Sequence, residues 1–71
     1  MSERYEVDGY EVVFCPWHSE YMDEDFVAVY VLKDGREVMH AGMTHIEPSE
    51  EAARREVELL LELRKGLEVG E

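Results

Sequence analysis

The segment that decides the fold is VLKDGREV, residues 31–38, in which an Asp-Gly pair separates two apolar runs. Asp34-Gly35 is the preferred centre of a type I′ hairpin turn, because both central positions of that turn need a positive φ. The segment therefore predicts two antiparallel strands joined by a two-residue loop. We expect these strands over about residues 26–33 and 36–43.

The same turn predicts which side chains share a face, because side chains alternate between the two faces along a strand. In this register Val31 lies opposite Val38, and Val29 lies opposite His40. Both faces are apolar, which is unusual for an antiparallel sheet with one face in water. One face collects Phe26, Ala28, Tyr30, Leu32, Met39, Ala41 and Met43, and the other collects Val27, Val29, Val31, Val38 and His40.

A second Asp-Gly pair, at residues 8–9, predicts a smaller hairpin with strands over about residues 4–7 and 10–15. The short first arm leaves open whether the sheet has three strands or four. Pro16 has no N–H to donate to a ladder, so the second strand is expected to end before it. Residues 16–25 then form a long loop.

From Pro48 onward the apolar period changes from two to that of a helix. Pro48 and Ser49 suit the first turn or the N-cap, and Lys65-Gly66 is a typical helix end. The sequence predicts a helix over about residues 49–65 and a frayed tail over 67–71. The apolar positions at helical spacing are Ala53, Val57, Leu60, Leu61 and Leu67.

These elements predict an α+β fold, a three- to four-stranded antiparallel meander packed in two layers against one C-terminal helix. Residues 1–71 are expected to form a single domain. The helix is expected to cover the face with Phe26 and Tyr30, which leaves the valine face uncovered. That face then binds a second copy or a partner, or else the N-terminal strand and the long loop fold back over it. The helix also favours association, because Ala52, Leu59 and Leu63 make its apolar face wider than a single packing contact requires.

Charge and cysteine content exclude several classes of function. Seven basic and eighteen acidic residues give a net charge of −11, which opposes direct binding to nucleic acid or to an anionic membrane. The same charge suits a basic protein partner. Cys15 is the one cysteine, so no internal disulfide can form and a cytoplasmic location is expected. Nothing in the first residues resembles a signal peptide.

The side chains that could bind a metal are one thiol and three imidazoles. Thiolate and imidazole are the ligands that zinc prefers, so a structural zinc-binding domain is an alternative hypothesis for the function. Their spacing, C-x2-H followed by H-x4-H, matches no standard zinc finger. The four candidates are Cys15, His18, His40 and His45.

Aromatic residues beside the acidic stretch 20–25 favour a protein contact instead. Trp17 and Tyr21 are of the type enriched at the centres of interfaces. No nucleophile motif, phosphate loop or metalloprotease motif is present, so we expect neither an enzyme nor a cofactor. The leading hypothesis is an acidic, self-associating interaction module that forms a homodimer. Its expected contact residues are Trp17, Tyr21, Val27, Val29, Val31 and Val38.

The segment Gly42-Met43-Thr44, followed by a helix that opens with Glu51-Ala52, resembles antitoxins of the HicB kind. The resemblance implies a β-β-β-α arrangement of the partial RNase H-like type. It also implies neutralisation of a small basic toxin, with which the acidity of this chain is compatible. A tight Asp34-Gly35 turn stands where that family has a longer segment with proline and glycine.

Overall fold

The computed structural model describes the backbone of residues 2–69 and the side chains of residues 2–40 and 45–66. Within this range four antiparallel strands form one sheet in the order β1-β2-β3-β4, and a helix follows. The predicted α+β meander with a C-terminal helix is confirmed. The elements are β1 (Glu3–Val7), β2 (Tyr10–Ser19), β3 (Glu24–Lys33), β4 (Arg36–Thr44) and α1 (Glu50–Val69).

Both Asp-Gly pairs make the predicted two-residue turns. Asp8 and Gly9 have φ values of 50° and 84°, and Asp34 and Gly35 have 54° and 77°. Positive φ at both central positions is the signature of a type I′ turn, whose twist matches that of the flanking strands. The first turn also adds β1 to the sheet, which settles the strand number in the described chain at four.

Strand β2 continues past Pro16, so the prediction that proline ends it is wrong. The last pair between β1 and β2 joins Glu3 to Phe14, and from Cys15 onward β2 is paired with β3 alone. A strand with one open side accommodates a residue that lacks an N–H. The predicted long loop is therefore a turn of four residues, 20–23, in which the Ser19 hydroxyl accepts a hydrogen bond from the Met22 N–H at 3.3 Å.

Helix α1 begins where the sequence predicts. The Ser49 hydroxyl accepts a hydrogen bond from the Ala52 N–H at 3.0 Å, which satisfies one of the free donors of the first turn. Gly66 does not end the helix, which runs to Val69. Residues 70–71 of the predicted tail lie outside the described residues.

The helix packs on the valine face, so the predicted choice of face is wrong. Val29 and Val31 are 0% exposed and belong to the cluster that contacts the helix through Ala53 and Val57. The reason lies in β2, whose register places Val12 beside Val31 and Phe14 beside Val29. These residues extend the valine face across the sheet. Burying that wider apolar surface under the helix is the larger hydrophobic gain. The fully assembled core consists of Val7, Tyr10, Val12, Phe14, Val29, Val31, Ala52, Ala53, Val57 and Leu60.

A second correction concerns β4. The predicted register holds at the turn, where Leu32 pairs with Glu37, but it shifts by one residue after that pair, so that Val31 lies opposite Met39 rather than Val38. This β-bulge moves residues 39–41 to the other phase of alternation, and a second register shift between Val27 and Val29 restores the original phase at Thr44. Met39 therefore joins the core side, and His40 lies opposite Tyr30 on the other face. The side chain of Met43 lies outside the described residues.

Candidate functional site

The face of the sheet opposite the helix carries a band of aromatic and apolar side chains, which we call the aromatic face. Alternation along the strands and the pairing of β2, β3 and β4 place these side chains together. In the described chain no helix or strand lies over them. The aromatic face comprises Val13, Cys15, Trp17, Phe26, Ala28, Tyr30, Leu32 and His40, with His45 just after β4.

One row of rings crosses the aromatic face near the β2–β3 turn. Trp17 pairs with Phe26, and their ring centroids are 5.4 Å apart. His45 packs against the same phenyl ring at 4.8 Å. Phe26 is thereby only 4% exposed, whereas Trp17 is 41% exposed. In this row the Trp17 indole is therefore partly exposed and packs against the buried Phe26 ring.

A second row lies towards the Asp34-Gly35 turn. Tyr30 sits between Val13 of β2 and His40 of β4. The Tyr30 and His40 rings are stacked, with centroids 4.6 Å apart and planes 10° from parallel. Val13 is buried although the helix lies on the other side of the sheet, because its long neighbours shield it. The aromatic side chains thus form a thin apolar layer of their own.

Charged groups lie at the margin of the aromatic face. The Arg4 guanidinium pairs with the Glu11 carboxylate at 3.2 Å, beside a shallow depression of about 200 Å³. Alternation also places Glu6 and Glu24 on this side of the sheet. The depression is lined by Arg4, Glu11, Val13, Tyr30, Leu32 and Glu37. An apolar centre with a charged margin is the usual anatomy of a protein interface.

The four predicted metal ligands contact different groups and do not converge on one point. His18 lies on the helix side of the sheet, where its ring contacts Asp25 at 2.8 Å and Asp23 at 3.4 Å. His40 stacks on Tyr30 and His45 packs at a tilt against Phe26, and these two rings are four residues apart along β3. Among the described residues no three His, Cys, Asp or Glu side chains are placed to hold a metal ion. The Cys15 sulfur lies 3.5 Å from the Ser2 hydroxyl.

The predicted contact residues fall into two groups. Trp17 lies on the aromatic face, and Tyr21 is 99% exposed at the β2–β3 turn, so both are open to a partner. Val29 and Val31 are closed off beneath the helix. Val27 and Val38 are half-buried at the margin of the same core. The valines therefore do not form an open face.

The far half of the helix also exposes apolar side chains. Leu59, Leu61 and Leu63 are each more than a third exposed, and the last buried residue described on the helix is Leu60. Helical spacing places Leu59 and Leu63 on one flank and Leu61 on the other, so they do not form one patch. No described helix is long and apolar enough to span a membrane.

Two ionisable groups at the helix–sheet boundary are perturbed. Burial raises the pKa of Glu56, whose Oε2 is buried without a hydrogen-bond partner among the described atoms. Desolvation raises the pKa of Tyr5, and so does its hydrogen bond to Glu3 at 3.2 Å. Neither group has a second reactive side chain hydrogen-bonded to it in an enclosed cavity, so the pair does not define a catalytic site.

Comparison with known protein families, with curated proteins and with solved structures finds no match for this chain.

The sequence placed Trp17 among the contact residues but missed Tyr30, His40 and His45 as parts of the same surface. The pairing of Val12 with Val31 marks the valine face as core, but it is set by the β2–β3 turn, where the sequence predicts a long loop. The adjacent apolar pair Val38-Met39 breaks the alternation of β4 and is a signal of the bulge.

Proposed function

We propose that this protein is a non-enzymatic interaction module that self-associates through its aromatic face. The observation that carries the proposal is that this face is apolar across three strands and has no covering element in the described chain. A sheet face that is apolar on its outer side and carries a partly exposed tryptophan is typical of an interaction site. Two such faces packed together form a sandwich with the helices outside, a common arrangement for antiparallel sheets.

The size of the aromatic face suits a second copy. Three strands at about 4.8 Å spacing and a length of ten residues at about 3.3 Å give a flat area of roughly 480 Å². The relief of the side chains adds to the accessible area. A stable interface needs about 800 Å² from each partner, so most of this face would have to take part. The carboxylates at the margin of the aromatic face would remain near water in such a dimer.

The acidity of the chain favours a second candidate, a contact with a basic protein. Residues 5–32 contain no Lys or Arg, whereas Glu20, Asp23, Glu24 and Asp25 are all exposed at the β2–β3 turn. This charge lies beside Trp17 and Tyr21 and would attract a basic surface. The HicB-like resemblance of the sequence points to the same kind of partner. The single cysteine supports a cytoplasmic location for either function.

The test of self-association is the molar mass of the purified protein, measured by light scattering over a concentration series. We expect a mass of about twice 8.3 kDa at high concentration and a fall towards the monomer on dilution. Native mass spectrometry of the same sample reports any bound metal directly. A monomer at all concentrations would overturn the proposal, and binding to basic proteins would then become the first candidate.

A matched pair of variants locates the contact. Leu32→Glu introduces a carboxylate on the aromatic face, and Leu63→Glu introduces the same group on the exposed helix. Both add one negative charge, so their general repulsion is equal. We expect Leu32→Glu to abolish dimer formation and Leu63→Glu to leave most of it. Equal effects would place the contact elsewhere.

Trp17 provides an independent readout because it is the one tryptophan of the chain. In a dimer formed through the aromatic face its indole loses contact with water. We expect its emission to shift to shorter wavelength and its quenching by acrylamide to fall as the concentration rises. Dimer formation without a change in Trp17 would move the contact away from this face.

A further inference from the structure

Two of the three histidines lie on the aromatic face, and the third does not. His40 stacks on Tyr30 and His45 packs against Phe26, both on the side opposite the helix. His18 lies on the helix side and contacts Asp25 at 2.8 Å. The chain therefore contains two imidazoles within the proposed contact surface and one internal control outside it.

Among the described side chains no carboxylate lies within salt-bridge distance of His40 or His45. Strand β4 is an edge of the sheet and pairs with β3. The β3 residues that contact the two histidines are Tyr30, whose ring stacks on His40, and Phe26, whose ring packs against His45. Among the described side chains His18 is the histidine that has a carboxylate within salt-bridge distance. The other titratable or charged groups on this side of the sheet are Arg4, Glu6, Glu11, Cys15, Glu24 and Glu37.

We propose that self-association through the aromatic face is pH-dependent and weakens when His40 and His45 become protonated. This inference rests on the proposed function. A neutral imidazole stacked on an aromatic ring is buried in an interface at a lower cost than a charged one. An imidazolium buried there without a carboxylate partner pays a desolvation cost, and two copies bring four such groups together. Protonation therefore favours the separated monomers.

The direction of the effect separates it from the general influence of charge. Two copies with a net charge of −11 repel each other, and acidification reduces that repulsion by adding positive charge to histidines and by neutralising some carboxylates. General charge alone would thus strengthen association at low pH. Protonation of the two face histidines weakens it, so the sign of the pH dependence reports which effect dominates.

The experiment measures the dimer dissociation constant by analytical ultracentrifugation at about pH 7.5 and about pH 5.5, on either side of the ordinary histidine pKa of about 6.5. We expect the constant to rise at least about tenfold at the lower pH. The double variant His40→Gln, His45→Gln should lose this rise and should associate more tightly at low pH. His18→Gln should retain the rise, because it changes a histidine outside the contact.

The outcomes distinguish the two proposals. Absence of a dimer at about pH 7.5 would overturn both self-association and its pH dependence. A dimer that is unchanged or tighter at about pH 5.5 would overturn the pH dependence alone. A wild-type-like response of the double variant would do the same, and circular dichroism at both values confirms that each variant is folded.

A second measurement covers the case in which the double variant fails to associate at neutral pH. The ring-proton NMR signals of His40 and His45 in the wild type are followed against pH at low and at high protein concentration. We expect their titration midpoints to be lower at the concentration where the dimer dominates, with no such difference for His18. Equal midpoints at the two concentrations would overturn the inference.

Discussion

The imidazole of His40 stacks on the ring of Tyr30 with a centroid distance of 4.6 Å, and this contact exists because of the bulge at Val38. In the regular register of the hairpin, His40 would lie beside Val29 on the helix side. One extra residue in β4 moves it to the opposite face. A local irregularity in an edge strand therefore determines the composition of the proposed contact surface.

The division of the helix into a buried and a free half gives a prediction about stability. Leu60 is 5% exposed and belongs to the core, whereas Leu63 is 55% exposed. We expect Leu60→Ala to lower the free energy of unfolding by about 2–3 kcal/mol, through lost burial and a residual cavity. Leu63→Ala should change it by less than about 0.5 kcal/mol. Urea unfolding of both variants measures the difference, and similar losses would contradict the packing described for the helix.

Gly35 and Gly66 should respond in opposite ways to the same substitution. Gly35 has a φ of 77° in its turn, so Gly35→Ala should destabilise the protein by about 1–2 kcal/mol. Gly66 lies inside the helix with open space around its Cα, so Gly66→Ala should stabilise it by up to about 1 kcal/mol. Thermal unfolding by circular dichroism tests both. A stabilising Gly35→Ala would contradict the type I′ turn.

The buried carboxyl of Glu56 should make folding stability depend on pH. Its pKa in the folded protein is raised by burial above the ordinary value of 4.5, so the neutral form favours the folded state. The contribution is complete below the ordinary pKa and is lost as pH rises through the higher folded value. Glu56→Gln should therefore raise the free energy of unfolding at neutral pH, and this gain should disappear below about pH 4.

The control for this prediction is Glu58→Gln, which removes an exposed carboxylate from the same helix. Both variants reduce the net negative charge equally, so general charge effects cancel in the comparison. A gain of equal size from the two variants would show that burial of Glu56 is not its cause.

Much of the candidate site could not be predicted from the sequence. Trp17 was recognised from its residue type, since an aromatic side chain beside acidic residues is typical of an interface. Tyr30, His40 and His45 were missed as a group because their proximity depends on a bulge and on pairing between distant parts of the chain. The sequence predicts Val29 and Val31 at a contact surface because β3 and β4 alone present two apolar faces.

The sequence by itself determined the two Asp-Gly turns, the meander order of the strands and the helix start. Each depends on a few neighbouring residues, such as the positive φ of Asp34-Gly35 or the hydroxyl of Ser49 at the first turn. The tertiary structure alone decided which face the helix covers and how far β2 continues past Pro16. The choice of face depends on the apolar area summed over four strands, and the length of β2 depends on where its pairing with β1 stops. Neither can be predicted from a few neighbouring residues.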